Sequence, residues 1–244
     1  MYLFIADLHL SEQHPRLVRG FLALLQHYQQ KTETVHLYIL GDWFNAWLGD
    51  DDIQEAWIQN IISHLQTFQQ HGHQIYFSKG NRDFALGIDF LNLFNAHLLP
   101  DIDYINIANQ KIRIEHGDLL CTDDIQYQRF RKIIRFPLLL SILKNLPLTW
   151  HKHIAQKFRK NSQISKQQKD WNIMDVNADA VHLALDKVDI LIHGHTHRPQ
   201  VHHIHNKLRI VLGDWREYEQ HIQAQILEIN HLGHYQFIEW KYDI

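Results

Sequence analysis

Two histidines two positions apart, His195 and His197, stand in the string His193-Gly194-His195-Thr196-His197-Arg198-Pro199. Imidazole is the commonest protein metal ligand, and a glycine hinge lets two rings turn toward one spot. Four further clusters of metal-competent side chains precede it: Asp7-Leu8-His9, Gly41-Asp42, Gly80-Asn81-Arg82-Asp83 and His116-Gly117-Asp118. Together they offer Asp7, His9, Asp42, Asn81, His116, His195 and His197 as nitrogen and oxygen donors, with no thiolate among them. This is more than one ion needs. It suits two hard or borderline divalent cations about 3.5–4 Å apart, bridged by a shared carboxylate.

Each cluster follows an apolar run of strand length: residues 2–6, 35–40, 74–78, 111–115 and 188–192. Carboxyl ends of strands are where open α/β sheets bind ligands, so the five clusters are expected to converge. Helical spacing of apolar residues predicts helices over 14–30, 53–70, 90–96 and 174–185, and alternation predicts further strands over 102–107, 201–205, 208–212, 221–229 and 234–242. The succession of strand and helix indicates a layered α/β domain. Asp50-Asp51-Asp52 reads as the acidic start of the second helix rather than as a metal site.

The chain has 244 residues and 45% apolar content, enough for one large domain or one domain with an insertion. No export signal is legible at the start, no apolar run approaches the ~20 residues of a membrane span, and the single Cys121 reads as a buried thiol. A cytoplasmic protein is the expectation. Residues 119–172 break the rhythm: they hold eleven Lys or Arg against three acids, interleaved with a Leu-rich stretch that Pro137 and Pro147 divide into short helices. They are expected to form a helical cap inserted into a body made of residues 1–118 and 173–244. A solvated basic face and a surface for anionic lipid or substrate phosphate both remain open for it.

The ordered set of clusters resembles that of the calcineurin-like metallophosphoesterases. That resemblance implies an α/β fold, a two-sheet sandwich flanked by helices. It also implies two metal sites, Asp7, His9, Asp42 and His197 in one, Asp42, Asn81, His116 and His195 in the other, with Asp42 shared. Many relatives carry a His where this chain has Arg82. Arginine cannot donate a proton at neutral pH but binds phosphate bidentately, which favours a phosphate leaving group and hence pyrophosphate cleavage.

Gly80-Asn81-Arg82-Asp83-Phe84, His116-Gly117-Asp118 with Cys121-Thr122-Asp123-Asp124, and Ile173-Met174-Asp175-Val176-Asn177 further resemble the bacterial UDP-2,3-diacylglucosamine hydrolases of lipid A biosynthesis. That resemblance implies Mn²⁺ and a metal-bridging water, supported by Asp42, Asn81, Arg82 and His195, that attacks the α-phosphorus to give UMP and 2,3-diacylglucosamine 1-phosphate. It implies substrate contacts at Asn81, Arg82, Asp124, Ser162, Lys166, Lys169 and His195. At position 166 that family's pattern has Asn. Asp124 reads equally as a helix cap, and Ser162 and Lys169 as solvated helix positions. The implied location is the cytoplasmic face of the inner membrane, reached through the basic cap, with no nucleic acid as partner. Two other readings are a phosphodiesterase or nuclease on the same metal core and a scaffold that has lost catalysis.

Overall fold

The computed structural model describes residues 1–47, 49, 53–144 and 175–243. The first half alternates strand and helix: β1 (Tyr2–Ile5), α1 (Pro15–Gln29), β2 (His36–Leu40), α2 (Ala56–Gln70), β3 (Gln74–Ser78), α3 (Ile88–Asn92) and β4 (His97–Leu98). Strands β1 to β4 pair in parallel, as right-handed crossovers through helices require. A hairpin, β5 (Ile102–Ile107) and β6 (Gln110–Glu115), opens the second sheet, and a short 3-10 turn at Asp118–Leu120 leads into α4 (Ile125–Ile134) and α5 (Pro137–Lys144). Then follow α6 (Ala178–Leu185), β7 (Ile190–His193), β8 (Gln200–Ile204), β9 (Lys207–Val211), β10 (Arg216–Glu217), β11 (His221–Ile229) and β12 (Tyr235–Asp243).

The strands form two sheets. One runs β10-β11-β1-β2-β3-β4 with β12 paired to β11, and the other runs β5-β6-β7-β9-β8. Alternation along each strand decides which layer a side chain enters. Phe4, Tyr38, Leu40 and Leu227 of the first sheet meet Ile112, Ile114, Ile192 and Ile210 of the second, and this apolar interface fastens the sandwich. On the first sheet's outer face Leu3, Ile5, Leu37 and Phe77 pack with Phe21, Leu25, Ile61 and Leu65 of α1 and α2. Val181, Ala184 and Leu185 of α6 cover Leu191 on the second sheet's outer face.

The expected α/β two-sheet sandwich is therefore what the chain adopts, with shifted boundaries. The second helix begins at Ala56, with Glu55 at its N-cap in extended backbone, three residues later than its periodicity predicts. Asp50, Asp51 and Asp52 lie outside the described residues. The helix expected from residue 174 starts only at Ala178, because the Asn177 side chain accepts hydrogen bonds from the Asp179 and Ala180 N–H groups and so fixes the start. The helix expected over 90–96 is the five-residue α3, and strands β4 and β10 are too short to leave an alternation in the sequence. Pro137 opens α5 as anticipated, Cys121 is buried, and among the described residues no helix is long and apolar enough to cross a membrane.

Ile192 is fully buried between the sheets and stands one residue before the end of β7, the strand that aims the loop with His195 and His197. Ile192→Ala should destabilise the metal-free protein by about 2–5 kcal/mol in urea denaturation, the range for a truncated core aliphatic whose site cannot collapse.

Candidate metal centre

Five loops leave the carboxyl ends of five parallel-paired strands: β1, β2 and β3 of one sheet, β6 and β7 of the other. Asp7 follows β1, Asp42 follows β2, Asn81 follows β3, His116 follows β6, and His195 and His197 follow β7. The seven residues singled out by type and spacing meet where these ends come together. The His9 and His197 Nε2 atoms are 3.4 Å apart, and His197 Nε2 is 3.3 Å from Asp7 Oδ1. His116 Nε2 lies 3.1 Å from Asn81 Oδ1 and 3.2 Å from His195 Nδ1. Asp42 touches both halves, with Oδ2 3.9 Å from His9 Nδ1 and Oδ1 3.8 Å from His116 Nε2.

The backbone bends sharply to achieve this. Asp7, His9, Asp42, His195 and His197 have φ between +50° and +68°, in the left-handed region that side chains other than glycine seldom occupy. Glycine supplies room where carboxylates press against backbone. A Cβ on Gly80 would lie 2.2 Å from both the N and Oδ1 of Asp42, and one on Gly194 would lie 2.5 Å from Asp7 Oδ2. Hydrogen bonds hold the turns: His195 N–H donates to Asp7 Oδ2 at 2.7 Å and Arg82 N–H to Asp42 Oδ1 at 2.8 Å. Asp83 ties two loops together by accepting from Gly80 N–H and Trp43 N–H, each at 2.7 Å.

Both carboxylate donors are buried, Asp7 at 0% and Asp42 at 2% exposure. Burial alone would favour their neutral forms, but His197, His116 and His9 beside Asp7, and His116, His9 and Arg82 beside Asp42, outweigh it and hold both carboxyls below the usual range. Burial, with like charge from Arg82, pushes His9 down to about 3, and burial with His116 pushes His195 down to about 4. His197 behaves oppositely. Burial opposes its charge, yet Asp7 on one side and Asp214 on the other raise it to about 9. Burial and the charge of Asp42 push Asp83 up to about 7.

These residues fit divalent cations on three grounds. The donors are carboxylate, imidazole and amide. Asp7, His9 and His197 offer atoms within 4.8 Å of one another, as do Asp7, Asp42 and His116. Among the described residues His9 Nδ1 is buried without a hydrogen-bond partner, a costly state that a cation would relieve, and Asp7 Oδ1 faces the His197 ring at 3.3 Å.

Residues 2–199 match the family profile described as calcineurin-like phosphoesterase. A UDP-2,3-diacylglucosamine hydrolase of Serratia proteamaculans is 44% identical to the chain, covering 93% of it and 94% of the relative. Those of Tolumonas auensis and Histophilus somni are 44% and 42% identical, covering 87% and 96% of this chain and 88% and 98% of theirs. The chain belongs to the UDP-2,3-diacylglucosamine hydrolase family of calcineurin-like phosphoesterases. The resemblance drawn from its strand-end clusters is thereby borne out, as is the sandwich it implied.

Within this hydrolase-family chain the structure adds Asp214, which the sequence did not single out, and gives partners to Asp118, Asp124 and Arg82, which it did. Asp214 faces His197 Nδ1 at 3.3 Å, orienting the ring from behind. Its sequence signal was present, for Gly213-Asp214 follows β9 just as Gly41-Asp42 follows β2. Asp118, buried at 2%, receives the Tyr127 hydroxyl and, at 2.7 Å, Arg131 Nε. Asp124 caps α4, its Oδ1 accepting from Tyr127 N–H at 3.0 Å. Arg82 turns its guanidinium onto the Asn45 side-chain oxygen and, at 3.4 Å, Asp42 Oδ2. Ser162, Lys166 and Lys169 lie outside the described residues.

Gly80→Ala should abolish uptake of at least one ion while far-UV circular dichroism stays unchanged, with bound metal per chain measured by atomic emission. The raised His197 sets a second expectation. A ligand imidazole must be neutral, so below about pH 9 metal binding displaces its proton. Calorimetric titration near pH 7.5 in buffers of different ionisation enthalpy should therefore show at least one proton released, and affinity should rise with pH up to about 9. The metal-free fold has the opposite dependence. Because the folded value lies above the ordinary 6.5, His197 stabilises fully below 6.5, and that contribution is lost as pH climbs through about 9.

Proposed function

We propose that this protein hydrolyses the pyrophosphate bond of UDP-2,3-diacylglucosamine, water attacking the α-phosphorus to give UMP and 2,3-diacylglucosamine 1-phosphate. The observation that carries the reading is a buried cluster of two carboxylates, four imidazoles and an amide in a chain whose relatives, alike over nearly their full length, bear that hydrolase's name. Asp7, His9, Asp42 and His197 would hold one divalent ion and Asp42, Asn81, His116 and His195 the other, Mn²⁺ in both. When bound, the ions supply an activated water near neutral pH and neutralise the phosphoryl oxygens.

The protein's own groups do the rest. Burial keeps His9 and His195 neutral, so their nitrogen lone pairs are free to ligate at physiological pH. Asp42 sits between both halves and is held ionised, as a shared ligand must be. Arg82 stands beside it with its side chain about a quarter exposed, placed to trade Asn45 for a substrate phosphate and to bind it through two N–H groups. It supplies no proton to the leaving phosphate, which needs none. Asn81 can present its amide to the same phosphate.

Residues 119–172 would form the cap over the acyl chains, with Asp124, Ser162, Lys166 and Lys169 contacting substrate. Exposed Ile125 and Ile133 of α4, Phe136 between the helices, and Leu138 and Ile142 of α5 accompany the exposed cations Arg129 and Lys132 of α4. Apolar groups flanked by Lys and Arg suit a peripheral protein that meets a lipid-borne substrate at the anionic cytoplasmic face of the inner membrane.

Incubation of Mn²⁺-loaded protein with UDP-2,3-diacylglucosamine in ¹⁸O-water should place the label in UMP. Label in the sugar phosphate, or faster turnover of an alkyl phosphomonoester, would sink the reading. Arg82→Ala should lower kcat/KM by about 10²–10³, the scale of a lost transition-state donor.

A further inference from the structure

We propose that Tyr127, Arg131 and Arg135 are positioning residues that brace one half of the metal centre, the half containing Asn81, His116 and His195, from the cap side. The three are spaced four apart along α4 and its C-cap, Arg135, which puts them on one side of that helix. Tyr127 and Arg131 meet on Asp118, beside His116, and Arg135 reaches Gly80, beside Asn81. The Tyr127 ring stacks on His195 with centroids 6.2 Å apart and planes 28° apart, and its hydroxyl donates to Asp118 Oδ2, two residues beyond His116. Arg131 donates from Nε to that same oxygen at 2.7 Å and from Nη2 to Asp101 Oδ2 at 2.8 Å. Arg135 donates to Asp101 Oδ1 at 2.6 Å and, through Nη2, to the Gly80 carbonyl at 2.7 Å, one residue before Asn81.

Apolar packing follows the same line. Phe84 and Ala85, just past Arg82, are buried against Ile134 and Leu143 of α4 and α5. Gln128, on the next turn face, donates to the Asp118 and Cys121 carbonyls at 2.8 and 3.0 Å and ties down the loop between His116 and α4. Among the described residues no side chain of α4 or α5 touches the other half of the centre. His197 is oriented by Asp214, from the body, and His9 by the loop pairing of Leu10 with Phe44. Among the described residues, α4 therefore bears on one cation position, and the sandwich holds the other.

This asymmetry separates bracing from mere attachment of the cap. A plain anchor, once cut, lowers thermal stability and leaves both ion affinities alike. A brace, once cut, weakens one ion and spares the other. The inference rests on the two-ion reading above, and the test distinguishes the two. Full-length wild type, Arg135→Gln and Tyr127→Phe would be titrated with Mn²⁺ by calorimetry and by electron paramagnetic resonance, which reports spin-coupled pairs.

Wild type should take up two ions with a coupled-pair signal. Each variant should keep one ion at wild-type affinity, lose about tenfold or more in affinity for the other, and shed the coupled signal at stoichiometric metal. Turnover should fall in kcat more than in KM for substrate, and excess Mn²⁺ should restore it. Two unchanged affinities with only a lowered Tm would overturn the brace, as would equal weakening of both ions. Uptake of fewer than two ions by wild type would overturn the two-ion reading and this inference with it. Tyr127→Phe, which removes one oxygen and keeps the ring, carries the test if Arg135→Gln does not fold.

Discussion

Two carboxylates, Asp7 and Asp42, are buried side by side where the ends of two sheets meet, and the surrounding architecture answers to that placement. Removing an ion from water costs several kcal/mol even after relaxation, and two like charges compound it. Neither Asp7 nor Asp42 escapes by taking up a proton, because His197, His116 and Arg82 are arranged around them. That compensation is incomplete: the neighbour of Asp7 Oδ1 is the His197 ring at 3.3 Å, and His9 Nδ1 has no hydrogen-bond partner among the described residues. A site that keeps anions ionised yet leaves them under-satisfied is one built to receive cations.

Holding the donors there strains the backbone. A left-handed turn costs roughly 1 kcal/mol or more for a residue with a side chain, and five of the seven donors adopt one. Such strain persists only where the surroundings over-determine it. Here the sandwich interface, with Phe4, Leu40, Ile114 and Ile192 at its centre, fixes the strand ends, and Asp83 and the His195 N–H bond to Asp7 fix the turns. The rigidity of the core is thus what makes the strained loops affordable.

The parts of this design visible in the sequence were those written as local patterns. A run of apolar residues ending in Asp, Asn or His is legible because a parallel strand must end somewhere, and its end is where the chain leaves the apolar layer. Asp214 repeats the Gly-Asp signature after β9, yet the strand assigned there carried no second ligand nearby to draw attention to it. Element starts were less legible. Asn177 sets the first turn of α6 through a side-chain bond that competes with the apolar periodicity extending before it, and Glu55 does so for α2 by its extended backbone. Charge counts proved blind to direction. Arg131 and Arg135 belong to the basic excess of residues 119–172, but their guanidiniums turn inward onto Asp101, Asp118 and Gly80.

That inward turn changes what the basicity of residues 119–172 means. Arg129 and Lys132 lie on the exposed side of the same helix, next to apolar groups that water does not favour, while Arg131 and Arg135 are mostly buried, their side chains 11% and 13% exposed. One short helix thus carries two populations of cation: an outer pair free to meet anions beyond the protein and an inner pair neutralised by the body's own carboxylates. The inner pair offers little to a membrane, because a paired and desolvated charge contributes little to a distant field. What it offers is geometry. Guanidinium forks that span Asp101 and reach Asp118 or Gly80 fix the angle of α4 over the site, so the exposed apolar and basic side of α4 and the loops that hold Asn81 and His195 belong to one rigid arrangement.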